Sequence, residues 1–193
     1  MSQLPLFARA RGAIDVPGLT YVEGYVSAAD ERALAAAVDR EPWIIDWRRR
    51  VQRYGAAYGA SARGARDAPP IPTWLAPLAA RLARDGHLDG DAASVVINEY
   101  EPGQGIAAHR DYAPFGDAVA AVSLLAPCVV DFADPDSDAR RAIDVAPRSL
   151  YVFRGDARWR WTHGIAPRKA DVIDGAKRPR ARRLSITFRT LRR

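Results

Sequence analysis

The 193-residue sequence is 48% hydrophobic and 27% charged, with a formal net charge of +6. A chain of this length fits one domain, residues 1–193, burying roughly 70% of its unfolded surface around one core. No apolar run approaches the roughly 18 residues of a membrane span, and Met1 to Arg11 lacks the apolar centre of a signal peptide. The expectation is a cytoplasmic, monomeric protein with no membrane association. Cys128 is the single cysteine, so it has no intramolecular disulfide partner, and its apolar neighbours mark it as a core thiol. The basic balance has two sources open to it. It suits an anionic partner such as nucleic acid, and it equally suits the coding bias of a GC-rich genome, because only Lys169 and Lys177 are lysines.

In chain order, residues to Pro17 show no periodicity and are expected to form a loose arm. Ser27 to Arg40 reads as a helix: Ser27 caps it, Asp30 and Glu31 suit its positive end, and Leu34, Ala37 and Val38 share a face. Pro42 closes it. Arg48 to Arg66 is rich in Arg, Tyr and Gly and is expected to stay out of the core. A second helix spans about Thr73 to Arg84, with Leu75, Leu78, Ala79 and Leu82 as its apolar stripe and Gly86 as its stop. Eight short β-branched or aromatic runs follow between turn residues. They are Ser94 to Tyr100, Ile106 to His109, Val119 to Leu125, Val129 to Phe132, Ala142 to Val145, Ser149 to Phe153, Trp159 to His163 and Arg183 to Thr190. The pattern predicts a mostly β, α+β jelly-roll of two facing sheets, with the helices packed outside one of them.

A His-x-Asp pair followed at a distance by a second His is a ligand set for non-haem iron(II) that leaves positions open on one side of the metal. Two such pairs are present. His87-Leu88-Asp89 sits in a turn between Gly86 and Gly90, where both residues are commonplace surface groups. His109-Arg110-Asp111 ends a strand, so alternation is expected to send both donors one way and Arg110 the other. Alone, this pair also fits a hydrogen-bonded loop. Its company is Asn98-Glu99-Tyr100 on the preceding strand, His163 on a late one, and Arg183 and Arg189 on the last. Those arginines are six apart and share a face. Two guanidiniums projecting inward require a buried anion, since an unpaired buried charge is costly, and a small dicarboxylate would meet both.

The run Asn98-Glu99-Tyr100-Glu101-Pro102-Gly103-Gln104-Gly105-Ile106-Ala107-Ala108-His109-Arg110-Asp111, then Trp161-Thr162-His163-Gly164-Ile165, then Arg183-Leu184-Ser185-Ile186-Thr187-Phe188-Arg189, resembles the AlkB family of nucleic-acid dealkylases. The likeness covers about Arg48 to the C-terminus. It implies a double-stranded β-helix and iron(II) held by His109, Asp111 and His163. It also implies 2-oxoglutarate held by Asn98, Tyr100, Arg183 and Arg189, with dioxygen as the oxidant. The implied activity is oxidative removal of alkyl groups from nucleobases, as in alkylation-damage repair.

Arg49-Arg50-Val51-Gln52-Arg53-Tyr54-Gly55-Ala56-Ala57-Tyr58 is similar to that family's nucleotide-recognition lid. The expected lid spans residues 48–66, with Tyr54 and Tyr58 stacking on the base and Arg50 and Arg53 meeting phosphates. One position departs from the family. DNA-repairing members often carry an acidic residue soon after the metal aspartate, whereas Tyr112-Ala113-Pro114 follows here. DNA and RNA therefore both stay open, as do transfer RNA modification and a protein or small-molecule substrate. The basic run Lys177 to Arg182 suits either a phosphate track or a solvated loop.

Overall fold

A computed structural model describes residues 15–46, 49–56, 68–173 and 175–192. Two antiparallel sheets face one another. The larger has the order β1 (Leu19–Val22), β9 (Ser149–Phe153), β6 (Phe115–Leu124), β13 (Arg183–Leu191), β4 (Ser94–Tyr100), β3 (Arg49–Gly55) and β2 (Ile44–Asp46). The smaller runs β5 (Ile106–His109), β10 (Thr162–Ile165), β7 (Cys128–Ala133) and β8 (Arg140–Val145), and β11 (Ala170–Ile173) with β12 (Ala176–Pro179) makes a separate hairpin. This is the expected jelly-roll.

Alternation along the strands gives the larger sheet two unlike faces. Leu184, Ile186 and Phe188 of β13 join Val95, Ile97, Val122 and Leu150 in a core closed from outside by the helices. Helix α1 (Ala28–Arg40) contributes Leu34 and Val38, and α2 (Ala76–Arg84) contributes Leu78 and Leu82. Ser27 starts α1 as predicted: its hydroxyl accepts from the Asp30 amide at 3.1 Å, while the Asp30 carboxylate accepts from the Ser27 amide at 3.2 Å. Both groups would otherwise lack partners at the helix end. The second helix begins with a 3-10 turn at Thr73–Leu75. Between the sheets lies another core, built from Val119, Tyr151 and Phe153 on one side and Cys128, Val130 and Phe132 on the other.

Four expectations need correction. Residues 49–55 are not excluded from the core. They form β3, where Val51 and Tyr54 are buried and Gln52 donates to the carbonyls of Val38 and Glu41 at 2.9 and 3.3 Å. Trp159 to His163 is not one strand, because Gly155–Trp159 is a short helix, α3, and pairing begins at Thr162. Charged sequence concealed β3, β11 and β12, since ion pairs supply partners that periodicity does not display. Arg180, for example, reaches the buried Asp171 at 2.7 Å. Finally, the expected arm is docked where it is described: Val16 is buried, and the Pro17 carbonyl accepts from the Ala157 amide at 2.8 Å.

Leu82 is fully buried between α2 and the larger sheet. Leu82→Ala should therefore lower unfolding stability by about 2–5 kcal/mol, measured by urea titration; a loss under about 1 kcal/mol would contradict the packing described.

Candidate active site

The two histidines meet because β10 and β5 are neighbours in register. His163 lies directly opposite His109, and their ring centroids are 4.5 Å apart. Gly164 permits this approach, since a Cβ there would come within 3.0 Å of the Ala108 amide nitrogen and the Ile106 carbonyl oxygen on β5. Asp111 stands two residues beyond β5, so a loop and not a strand orients it. Its Oδ2 is 3.7 Å from His163 Nε2, and its Oδ1 accepts from Arg189 Nε at 2.7 Å. The Ala107 carbonyl, 2.9 Å from His109 Nδ1, can only accept. An Nδ1 proton satisfies it, which makes Nε2 the ring atom available to a metal.

Charge states suit a divalent cation. Burial is the main cause that pushes His163 down to about 4, against the opposing pull of Asp111. Burial acts to raise the Asp111 carboxyl, yet the Arg189 guanidinium and the nearby imidazoles outweigh it and hold it at about 2. At neutral pH His163 is therefore a neutral imidazole and Asp111 a carboxylate. Among the described residues, no trio of His, Cys, Asp or Glu is already closed around one point. Metal–ligand bonds of about 2.1 Å put donors closer together than 3.7 Å, so the ring and carboxylate must draw inward on binding. Among the described residues, His163 Nδ1 and Arg183 Nη1 are the buried side-chain polar atoms without a hydrogen-bond partner.

Arg183 is 2% exposed. Its Nε donates to Ser123 Oγ at 2.9 Å and its Nη2 to the Tyr151 hydroxyl at 3.3 Å, and it lies 5.4 Å from the centre of the Tyr100 ring. All of these partners are neutral, so a buried cation with one empty donor still calls for an anion. Asn98, Tyr100, Asp111, His109, His163 and Arg189 line one cleft of about 820 Å³, within the roughly 300–1,000 Å³ of small-molecule sites. Burial pushes the Tyr100 hydroxyl up to about 12, which keeps it a neutral donor.

The expected lid residues divide between faces. Arg53 borders the cleft, but Arg50 lies on the helix side, where it pairs with the buried Glu99 at 2.5 Å and stacks 4.8 Å from Trp43. Its phosphate role is corrected accordingly. Tyr54 borders the cleft, yet its side chain belongs to the helix-side core and is 5% exposed, too enclosed to stack on a base. Tyr58 lies outside the described residues. Arg49, which sequence reasoning passed over, faces the cleft and donates from Nε to Asn98 Oδ1 at 3.0 Å. Recognising β3 as a strand would have found it, since Arg49 and Arg53 have the same parity. The decoy pair makes no metal site: His87 meets the Tyr25 ring edge-on at 5.4 Å, and Asp89 pairs with Arg154 at 2.7 Å. In the basic run, Arg180 and Arg182 are committed to Asp171 and Glu99.

The family model described as the 2OG-Fe(II) oxygenase superfamily matches residues 20–189. A protein of Acanthamoeba polyphaga mimivirus is 32% identical over 191 residues, covering 95% of this chain and 89% of the viral one. The chain belongs to the AlkB family of 2-oxoglutarate–iron(II) oxygenases. An Arabidopsis thaliana relative named "Alkylated DNA repair protein ALKBH8 homolog" is 30% identical, across 93% of this chain and 60% of its own length. A Xenopus tropicalis relative named "tRNA (carboxymethyluridine(34)-5-O)-methyltransferase alkbh8" is 34% identical, and the chain spans only 26% of it. The solved structure of OsALKBH1 shares the fold with a TM-score of 0.70 at 16% identity, covering 90% of this chain and 98% of that one.

This dioxygenase therefore uses iron(II) and 2-oxoglutarate with dioxygen. His109, Asp111 and His163 are the residues that could hold the metal, and Asn98, Tyr100, Arg183 and Arg189 those that could hold the cosubstrate. The donor set and the unsatisfied Arg183 Nη1 support that reading. Together the bound groups supply an oxidant able to remove hydrogen from an unactivated carbon. The chain's own residues would hold the metal's charge and bind the two ends of a dicarboxylate. His163, stacked 4.5 Å from the Phe153 ring, keeps its orientation through packing. Arg183→Met should raise the 2-oxoglutarate concentration needed for half-maximal succinate formation at least tenfold while Mn(II) binding persists. An unchanged requirement would remove Arg183 from the cosubstrate site.

Proposed function

We propose that this enzyme oxidatively dealkylates N-alkylated nucleobases in DNA or RNA. One observation carries this reading. Arg49, Arg53, Arg110 and Arg189 line the cleft, whereas Asp111 is the one carboxylate among its described lining residues and is already held by Arg189. Such a cleft attracts a polyanion and costs little when phosphates approach. The chemistry is local: hydroxylation of the carbon on nitrogen gives a hemiaminal, which loses an aldehyde and leaves the base repaired. An aromatic rim also suits an extruded base, and Tyr112, beside Asp111, is 52% exposed.

A second reading, modification of transfer RNA, draws on Ala113 standing where DNA-repairing members often carry an acid, and on the names of the two ALKBH8-type relatives. Both readings share the phosphate-facing cleft and differ in the base presented to it. Purified protein with iron(II), ascorbate and 2-oxoglutarate should release formaldehyde from methylated single-stranded DNA or RNA, or form succinate with unmodified transfer RNA. Succinate produced only with peptides or small molecules would reject a nucleic-acid substrate.

Two of the three arginines of β3 separate binding from folding. Arg53→Ala should weaken binding to single-stranded oligonucleotides and reduce the slope of log affinity against log salt by about 0.7. Arg50→Ala should leave that slope unchanged and lower the thermal midpoint, because Glu99, 2% exposed, loses a partner. A reversed pattern would show that the faces of β3 have been exchanged.

A further inference from the structure

The loop carrying Asp111 leaves β5 before the aspartate and re-enters the larger sheet at Phe115. No ladder partner sets its main chain at Asp111, Tyr112 or Ala113. Arg158, on α3, does. This guanidinium belongs to a residue 2% exposed, and its hydrogen bonds converge on that loop. Nη1 donates to the Asp111 carbonyl at 3.0 Å. Nη2 donates to the carbonyls of Tyr112 at 2.8 Å and Phe115 at 3.3 Å, and Nε to that of Gly116 at 3.2 Å. The Trp159 ring covers the group, its centre 4.0 Å from the guanidinium carbon.

Burying an arginine against carbonyls alone is an unusual use of charge, since a hydrophobic side chain could fill the same space without desolvation cost. What only a planar five-donor fork provides is simultaneous capture of several carbonyls from one turn of chain. Asp111 is thereby gripped twice, its carboxylate by Arg189 and its main chain by Arg158. Resting on the iron reading above, the geometry assigns Arg158 as a positioning residue that presets the Asp111 carboxylate for the metal. It touches neither metal nor substrate. Arg158 also gives α3, which interrupts what the sequence suggests is continuous strand before His163, a role: the helix delivers the arginine to the loop that carries Asp111.

The test uses the full chain and Mn(II) as the metal probe, with free Mn(II) followed by electron paramagnetic resonance. Arg158→Met should raise the Mn(II) dissociation constant roughly 10–100-fold, the range seen when groups that orient metal ligands are removed. Arg158→Lys, which keeps the charge but loses the fork, should fall between Met and wild type. Val145→Ala, buried in the inter-sheet core, should lower the thermal midpoint and leave Mn(II) affinity as in wild type. The proposal is overturned if the arginine variants bind Mn(II) like wild type, or if Val145→Ala weakens binding as much as Arg158→Met. Should Arg158→Met fail to fold, Arg158→Lys decides alone, and wild-type affinity in it is an overturning result. Wild-type protein that bound no Mn(II) would instead fail the iron assignment itself, taking this proposal with it.

Discussion

Strand β13 lies between β6 and β4 and carries Leu184, Ile186 and Phe188 on one face and Arg183, Ser185, Thr187 and Arg189 on the other. The apolar face binds the helices to the sheet, and the polar face supplies the inner wall of the cleft. A one-residue slip in its pairing would drive two arginines into the helix-side core and expose the apolar set to the cleft. Burial on one side thus enforces the register that positions the charges on the other. Stability and function share the same constraint.

Arginine is the main electrostatic instrument of this molecule, and burial decides what each one does. Arg50 and Arg182 converge on Glu99; burial alone would push that carboxyl up, but their hydrogen bonds bring it below its usual range. Arg180 is satisfied by Asp171. Arg182 also reaches Asp39 of α1, which ties the sheet to that helix. Arg183 differs, because its neighbours are neutral and one donor is empty. An ion pair complete within the chain stabilises the fold. One left incomplete marks where a ligand anion belongs.

The centre itself is assembled from segments distant in sequence. His109 and His163 meet through one antiparallel pairing, whereas Asp111 depends on a loop held by Arg158 and Arg189. This division gives the candidate ligand set one side set by strand pairing and packing and one side set by side-chain hydrogen bonds to a loop. The cleft-facing arginines of β3 line the same cleft as these groups.

Much of this was legible in the chain alone. The His109-x-Asp111 pair, the distant His163 and the arginines six apart follow from motif spacing and strand parity, as do α1 with its Ser27 cap and the strands β4, β5 and β9. Those features depend on local periodicity, which a sequence displays directly. What only the tertiary structure decided is which partner each charge finds. Arg50 and Tyr54 looked like substrate residues because Arg and Tyr are polar or amphipathic, yet β3 turns both toward the helices and offers Arg49 and Arg53 to the cleft. Arg158 carried no motif, since its role lies in carbonyls contributed by a separate loop. Periodicity reports which face a side chain takes, but the energy of a buried charge depends on neighbours brought together by folding.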